Sequence, residues 1–88
     1  MNEQIYTLVK KIVDFQIEFY NLVSYPVKAQ ISREKFTQIA YETLEKNVVV
    51  VIQDIEEKLK KVSSAKLNQL GNEIINEINN LKEEEECL

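Results

Sequence analysis

The chain has 88 residues, of which 44% are hydrophobic, and this is enough for one domain with a core but not for two. A single glycine and a single proline exclude a sandwich or barrel of short strands, which needs a turn every few residues. The net charge of −4, with Arg33 as the only arginine, speaks against nucleic acid as the main partner, because phosphate binding needs clustered positive charge.

The cysteine content and the first apolar stretch indicate the cellular compartment in which the protein is expected. Cys87 is the only cysteine, so no internal disulfide can form, and we expect a reducing cytoplasm. No basic region followed by an apolar run and a cleavage site is visible at the start, so we expect no signal peptide. Residues 5–23 are rather apolar, but the charges of Lys10, Lys11, Asp14 and Glu18 argue against a transmembrane segment.

The first segment, about residues 2–23, is typical of a helix that is enclosed by its neighbours. At 100° per residue its apolar side chains cover an arc of roughly 220°, about twice the width expected of a helix on a surface. We therefore expect at least two other helices to pack against it. The segment should end before Tyr25, because Pro26 disfavours helical geometry in the residue that precedes it.

The second segment, about residues 32–62, is predicted to start with Ser32 as its N-cap. Apolar residues then recur at helical spacing as far as Val62, and three acid-before-base pairs at i,i+4 support the helix: Asp54–Lys58, Glu56–Lys60 and Glu57–Lys61. The β-branched run of residues 48–52 locally favours a strand, but no second strand candidate exists to pair with it. We expect one continuous helix, with a break near Asn47, and hence four helices, as the alternative.

The third segment, about residues 65–82, carries a narrow apolar seam of the kind that a coiled-coil contact uses. Gly71 lies inside this seam and lowers its helix propensity, so the last helix could instead be shorter, with Asn72 as its cap. We interpret residues 83–88 as an acidic tail. The expected fold is therefore an all-α bundle of about three amphipathic helices in one domain, residues 1–82, with antiparallel neighbours.

No pattern in the sequence predicts catalysis. There is no histidine, which removes the commonest general base and metal ligand, and one cysteine makes neither a catalytic dyad nor a zinc site. Gly71 stands alone, so there is no phosphate-binding loop. We expect a protein that is not an enzyme and has no cofactor, metal or catalytic residues.

A second apolar patch on the middle segment points to protein–protein interaction. Ile39 and Val50 share one angle on the helical wheel and Val49 another, and both angles lie off the main apolar stripe. Valine is a poor residue for an exposed helical position, so something should cover these residues. We expect partner-binding residues at Ile39, Val49, Val50 and Tyr25, in a helical module that pairs with itself, most simply as a homodimer, or with another protein. Small inhibitors, adaptors, immunity-type proteins and assembly subunits have this character.

Two other interpretations stay open at this point. The three segments could bury every apolar face within a monomer. Alternatively, the amide-rich third segment could serve a small helix-turn-helix DNA-binding regulator, although acidic side chains share its surface. The amides in question are Asn68, Gln69, Asn72, Asn76, Asn79 and Asn80.

Overall fold

The computed structural model describes residues 3–23 and 32–86, with side chains as far as residue 81. It contains four helices: α1 (Glu3–Val23), α2 (Arg33–Lys46), α3 (Val48–Lys61) and α4 (Ala65–Glu86). Only Ser32, Asn47 and residues 62–64 lie outside a helix among the residues described. The all-α fold is therefore confirmed.

Serine side chains begin two of the helices. Ser32 is the N-cap of α2, as expected, and its Oγ accepts a hydrogen bond from the backbone N–H of Lys35 at 3.3 Å. Ser64 plays the same part for α4, where its Oγ accepts from the N–H of Leu67 at 3.2 Å. Each hydroxyl satisfies one of the backbone donors that have no partner in the first helical turn.

The expectation of three helices is wrong, because the second segment is broken at Asn47. This residue has an extended backbone, with φ −168° and ψ 106°. Its N–H donates to the carbonyl of Thr43 at 2.9 Å and so closes α2, while its side-chain Oδ1 accepts from the N–H of Val49 at 2.9 Å and so begins α3. One asparagine thus caps both helices, and the valine run becomes the first turn of a new helix instead of a strand.

The last helix is longer than expected. It runs without interruption through Gly71 and continues to Glu86, so four residues of the expected tail are helical. The alternative of a shorter helix capped by Asn72 is wrong. A Cβ at position 71 would lie 2.9 Å from Cδ1 of Leu59 and 3.1 Å from Cγ2 of Ile55. Glycine is therefore present because α3 and α4 approach closely, and the helix tolerates its lower propensity.

Helices α1 and α4 form an antiparallel pair, on which α2 and α3 form a second layer. Ion pairs show the direction: Glu18 lies 3.4 Å from Lys66, whereas Lys11 lies 3.2 Å from Glu77 and 3.8 Å from Glu73. The Lys11–Glu77 contact is ionic, since Oε2 of Glu77 accepts no hydrogen bond from the described residues. Helix α2 packs against α1, and α3 packs against α4.

The core lies between these layers and draws on every helix. Helix α1 is packed against both α2 and α4, in agreement with its wide apolar arc, and among the described residues it supplies half of the buried hydrophobic side chains. Its buried residues are Leu8, Val9, Ile12, Val13, Phe15 and Phe19. The other helices contribute Ala40, Val51, Ile55, Leu67, Ile74 and Ile78.

The close approach at Gly71 gives a stability prediction. Gly71→Leu should lower the free energy of unfolding by about 2 kcal/mol or more, because the larger side chain collides with Leu59 and Ile55. Gly71→Ala should change it by less than about 1 kcal/mol, since crowding offsets the gain in helix propensity. Urea unfolding measures both. The control is Asn72→Leu on the exposed face of α4, whose free energy of unfolding should stay within about 0.5 kcal/mol of the wild-type value. An equal loss of stability in both leucine variants would contradict the close packing at Gly71.

Candidate functional site

A groove of about 330 Å³ opens between α1, α2 and α3. Residues spaced by three or four positions bring one face of each helix to it, so the groove follows from helical periodicity. Its wall is mainly apolar. The residues that line it are Ile12, Gln16 and Tyr20 from α1; Phe36, Ile39, Ala40 and Thr43 from α2; and Val50, Val51, Asp54 and Lys58 from α3.

The floor of the groove belongs to the core, and its edge is apolar and exposed. Ile12, Ala40 and Val51 lie at the bottom and are buried. Ile39 of α2 and Val50 of α3 stand at the edge, where their exposed fractions are 46% and 47%. The groove therefore offers aliphatic surface to a partner from its floor to its edge.

The break at Asn47 gives the groove its concave shape. Thr43 lines it from the end of α2, and Val50 and Asp54 line it from the start of α3. In an unbroken helix these residues, which are separated by seven and then four positions, would lie along one straight stripe. Because the chain bends at Asn47, the two halves of that stripe face α1 at an angle and enclose space between them.

A hydrogen-bonded cluster of three polar side chains closes one end of the groove. The Lys58 ammonium donates to Oε1 of Gln16 at 2.6 Å and to Oδ2 of Asp54 at 3.0 Å. The Gln16 amide in turn donates to the same Asp54 oxygen at 3.0 Å. The cluster links α1 to α3, two helices that are far apart in sequence, and charge assistance strengthens its hydrogen bonds.

Aromatic rings enclose the lysine of this cluster. Its ammonium lies 5.1 Å from the centroid of the Tyr20 ring and 5.3 Å from that of Phe19, within the range of cation–π attraction. Tyr20 also stacks on Phe36 of α2, with centroids 5.7 Å apart and planes 15° from parallel. The Lys58 side chain is only 13% exposed, whereas that of Asp54 is 40% exposed. The charged group that a ligand in the groove can reach is therefore the carboxylate.

The structure places the residues that the sequence singled out in different positions. Ile39 and Val50 both line the groove. Val49 is exposed, at 41%, but does not line it. Val50 and Val51 face the groove at this turn, and Val49 points about 100° from Val50 and about 200° from Val51. Tyr25 lies outside the described residues.

The polar cluster is the part of the site that sequence reasoning missed. Asp54–Lys58 is one of the three i,i+4 pairs expected to support the helix, yet it is the only one of them within 4 Å in the described residues, and it is partly buried. Its partner Gln16 lies 38 positions before Asp54, so no local pattern relates the two. Only an amide among the apolar residues of α1 could have drawn attention to it.

The surface of α4 bears on the DNA-binding alternative. A connection of three residues, 62–64, joins α3 to α4, and all six amides named above are exposed on α4. Among the described side chains of α4, Lys66 is the only positively charged one and is paired with Glu18, while Glu73 and Glu77 lie on the same helix.

Comparisons with models of protein families, with curated proteins and with solved structures each found no match. Among the described residues, no group of three or more histidine, cysteine, aspartate or glutamate side chains is arranged to hold a metal ion. None of the helices, so far as they are described, combines the length and apolar character that crossing a bilayer requires. The groove and its polar end remain as the candidate site.

The polar cluster gives a second stability prediction. Lys58→Met keeps most of the apolar stem but leaves Gln16 and Asp54 without their cation, and should lower the free energy of unfolding by about 1–2 kcal/mol. The partial exposure of Asp54 keeps the loss below that of a fully buried pair. Thermal or urea unfolding measures it. The matched control is Lys60→Met, at an exposed position without an ion pair among the described residues. It should change the free energy of unfolding by less than about 0.5 kcal/mol. Equal effects of the two substitutions would mean that the cluster contributes nothing to stability.

Proposed function

We propose that this chain is a non-catalytic protein–protein interaction module that binds an apolar helix face of its partner in the groove between α1, α2 and α3. The observation that carries the proposal is the apolar groove with Ile39 and Val50 exposed at its edge. Recognition of an amphipathic helix by a hydrophobic groove is a common mode of binding, in which aliphatic anchors at helical spacing fill the groove.

The energetics favour a covered groove. Full burial of a valine or isoleucine side chain contributes about 1.5–3 kcal/mol, so covering two such residues and the groove floor gives a substantial apolar centre. A stable interface nevertheless needs about 800 Å² from each partner. The contact must therefore extend beyond the groove onto the adjoining surface of α2, next to Ile39.

The simplest partner is a second copy of this chain, arranged as a twofold dimer. In such a dimer the same surface of each copy meets the other, so one exposed apolar patch is enough. Another protein with an apolar helix is the other possibility, and it corresponds to the roles of inhibitor, adaptor, immunity-type protein or assembly subunit. A helix-turn-helix regulator is less well supported, because the amides of α4 are accompanied, among its described side chains, by a single lysine that is paired with Glu18.

Charge introduced at the groove edge tests the proposal. Ile39→Lys and Val50→Lys should each weaken self-association at least tenfold, because they place an ammonium in an apolar contact, while the monomer stays folded since both positions are exposed. Sedimentation equilibrium measures the association, and circular dichroism checks the fold. Val49→Lys is the matched control: it changes the same residue type at a neighbouring, similarly exposed position outside the groove.

Two results would contradict the proposal for a second copy. The wild-type chain could remain monomeric at every concentration, which would exclude self-association through the groove. Val49→Lys could weaken the dimer as much as Val50→Lys, which would place the interface around α3 and away from the groove.

A further inference from the structure

The interruption between α2 and α3 is confined to a single residue. Helix α2 ends at Lys46 and α3 starts at Val48, with Asn47 alone in an extended conformation. The hydrogen bonds that replace the helical pattern at this point are local: Oδ1 of Asn47 accepts from Val49, and the carbonyl of Asn47 accepts from Val50 at 3.2 Å. A change of the backbone angles at one residue is therefore enough to make the two helices continuous.

The apolar pattern on the two sides of the break is that of one helix. Buried and half-buried residues follow one another at steps of three or four through the break, so they would form a single stripe on an unbroken helix. These residues are Phe36, Ala40, Leu44, Val48, Val51, Ile55 and Leu59. Neither half of the stripe would have to turn away from the core when the helix straightens.

Straightening exchanges one set of hydrogen bonds for another. The side-chain cap of Asn47 on Val49 and the hydrogen bond from the N–H of Val50 to the Asn47 carbonyl are lost. In return the N–H groups of residues 48–50 reach the carbonyls of residues 44–46, as in the middle of any α-helix. The backbone bonds thus favour the straight form, and the asparagine cap favours the bent one.

A straight helix over residues 33–61, roughly 43 Å long at 1.5 Å per residue, carries α4 away from the α1 of its own chain. We propose that a second copy of this chain then replaces the helices that have moved away. In the resulting dimer α3 and α4 of each copy pack on α1 and α2 of the other. The buried contacts between α1 and α4, with the Lys11–Glu77 and Glu18–Lys66 ion pairs, are remade between chains. Exchange of identical elements needs no new surface.

The exchange also changes which chain completes the groove, which goes beyond the proposed function. Thr43 belongs to α2, whereas Val50 and Asp54 belong to α3. In the exchanged dimer each groove is therefore formed by α1 and α2 of one copy and α3 of the other, so every site contains residues from both copies.

The test is substitution at the hinge residue in a background that cannot associate through the groove edge. Asn47→Ala removes the capping oxygen and favours helix, so in a Val50→Lys background it should raise the monomer–dimer association constant at least tenfold after refolding at high concentration. Asn47→Asp keeps a capping oxygen and should resemble the parent. Light scattering after size exclusion measures the masses, and circular dichroism checks the helix content.

Cross-linking shows whether a dimer is exchanged. Lys11→Cys and Glu77→Cys, with Cys87→Ser, place two thiols on α1 and α4 where a short bismaleimide can bridge them. In the closed chain the bridge forms within one copy. In the exchanged dimer it joins two copies, which run as a covalent dimer on a denaturing gel.

Three results would overturn the proposal. Asn47→Ala could stay monomeric and show only the lower melting temperature of a lost cap. It could dimerise but cross-link within single chains, which would mean a dimer without exchange. It could also fail to fold, which would show that the straight helix is not an accessible arrangement of these contacts.

Discussion

Asn47 determines the shape of this molecule. Its backbone N–H completes the last turn of α2, and its side-chain oxygen begins the first turn of α3 two residues later. Because the same residue serves both helix ends, the chain changes direction without a loop and without losing the phase of its apolar stripe. The two-layer packing and the groove both depend on this change of direction.

Two contacts on neighbouring faces of α3 hold the bent arrangement in place. On one face Gly71 of α4 allows close approach, where Leu59 and Ile55 fill the space that a Cβ would take. On the next face Lys58 connects α3 to Gln16 of α1 and lies against Tyr20. The first contact is steric and the second is polar, so α3 is fixed both in its distance from α4 and in its rotation toward the groove.

The groove is closed at one end by a salt bridge whose two members differ in access. The lysine is enclosed by rings and donates to Gln16 and Asp54, whereas the aspartate is partly open to solvent. A partner that reaches this end meets a carboxylate whose charge is already balanced, with aliphatic side chains around it. This feature supports the proposal of an apolar helix as the partner over a phosphate or another strongly charged ligand.

The sequence alone determined the helical fold, the serine cap of α2, the wide burial of α1 and the off-stripe position of Ile39 and Val50, because these follow from periodicity and from local hydrogen bonding. The break at Asn47 could be named only as an alternative, since an asparagine before β-branched residues is compatible with either a cap or a helix interior. The tertiary structure decided which one applies. It also decided that Val49 and Val50 have different surroundings, that Gly71 is a contact point, and that Gln16, Asp54 and Lys58 meet. These last features depend on the positions of helices that are distant in sequence, and no local pattern encodes such distances.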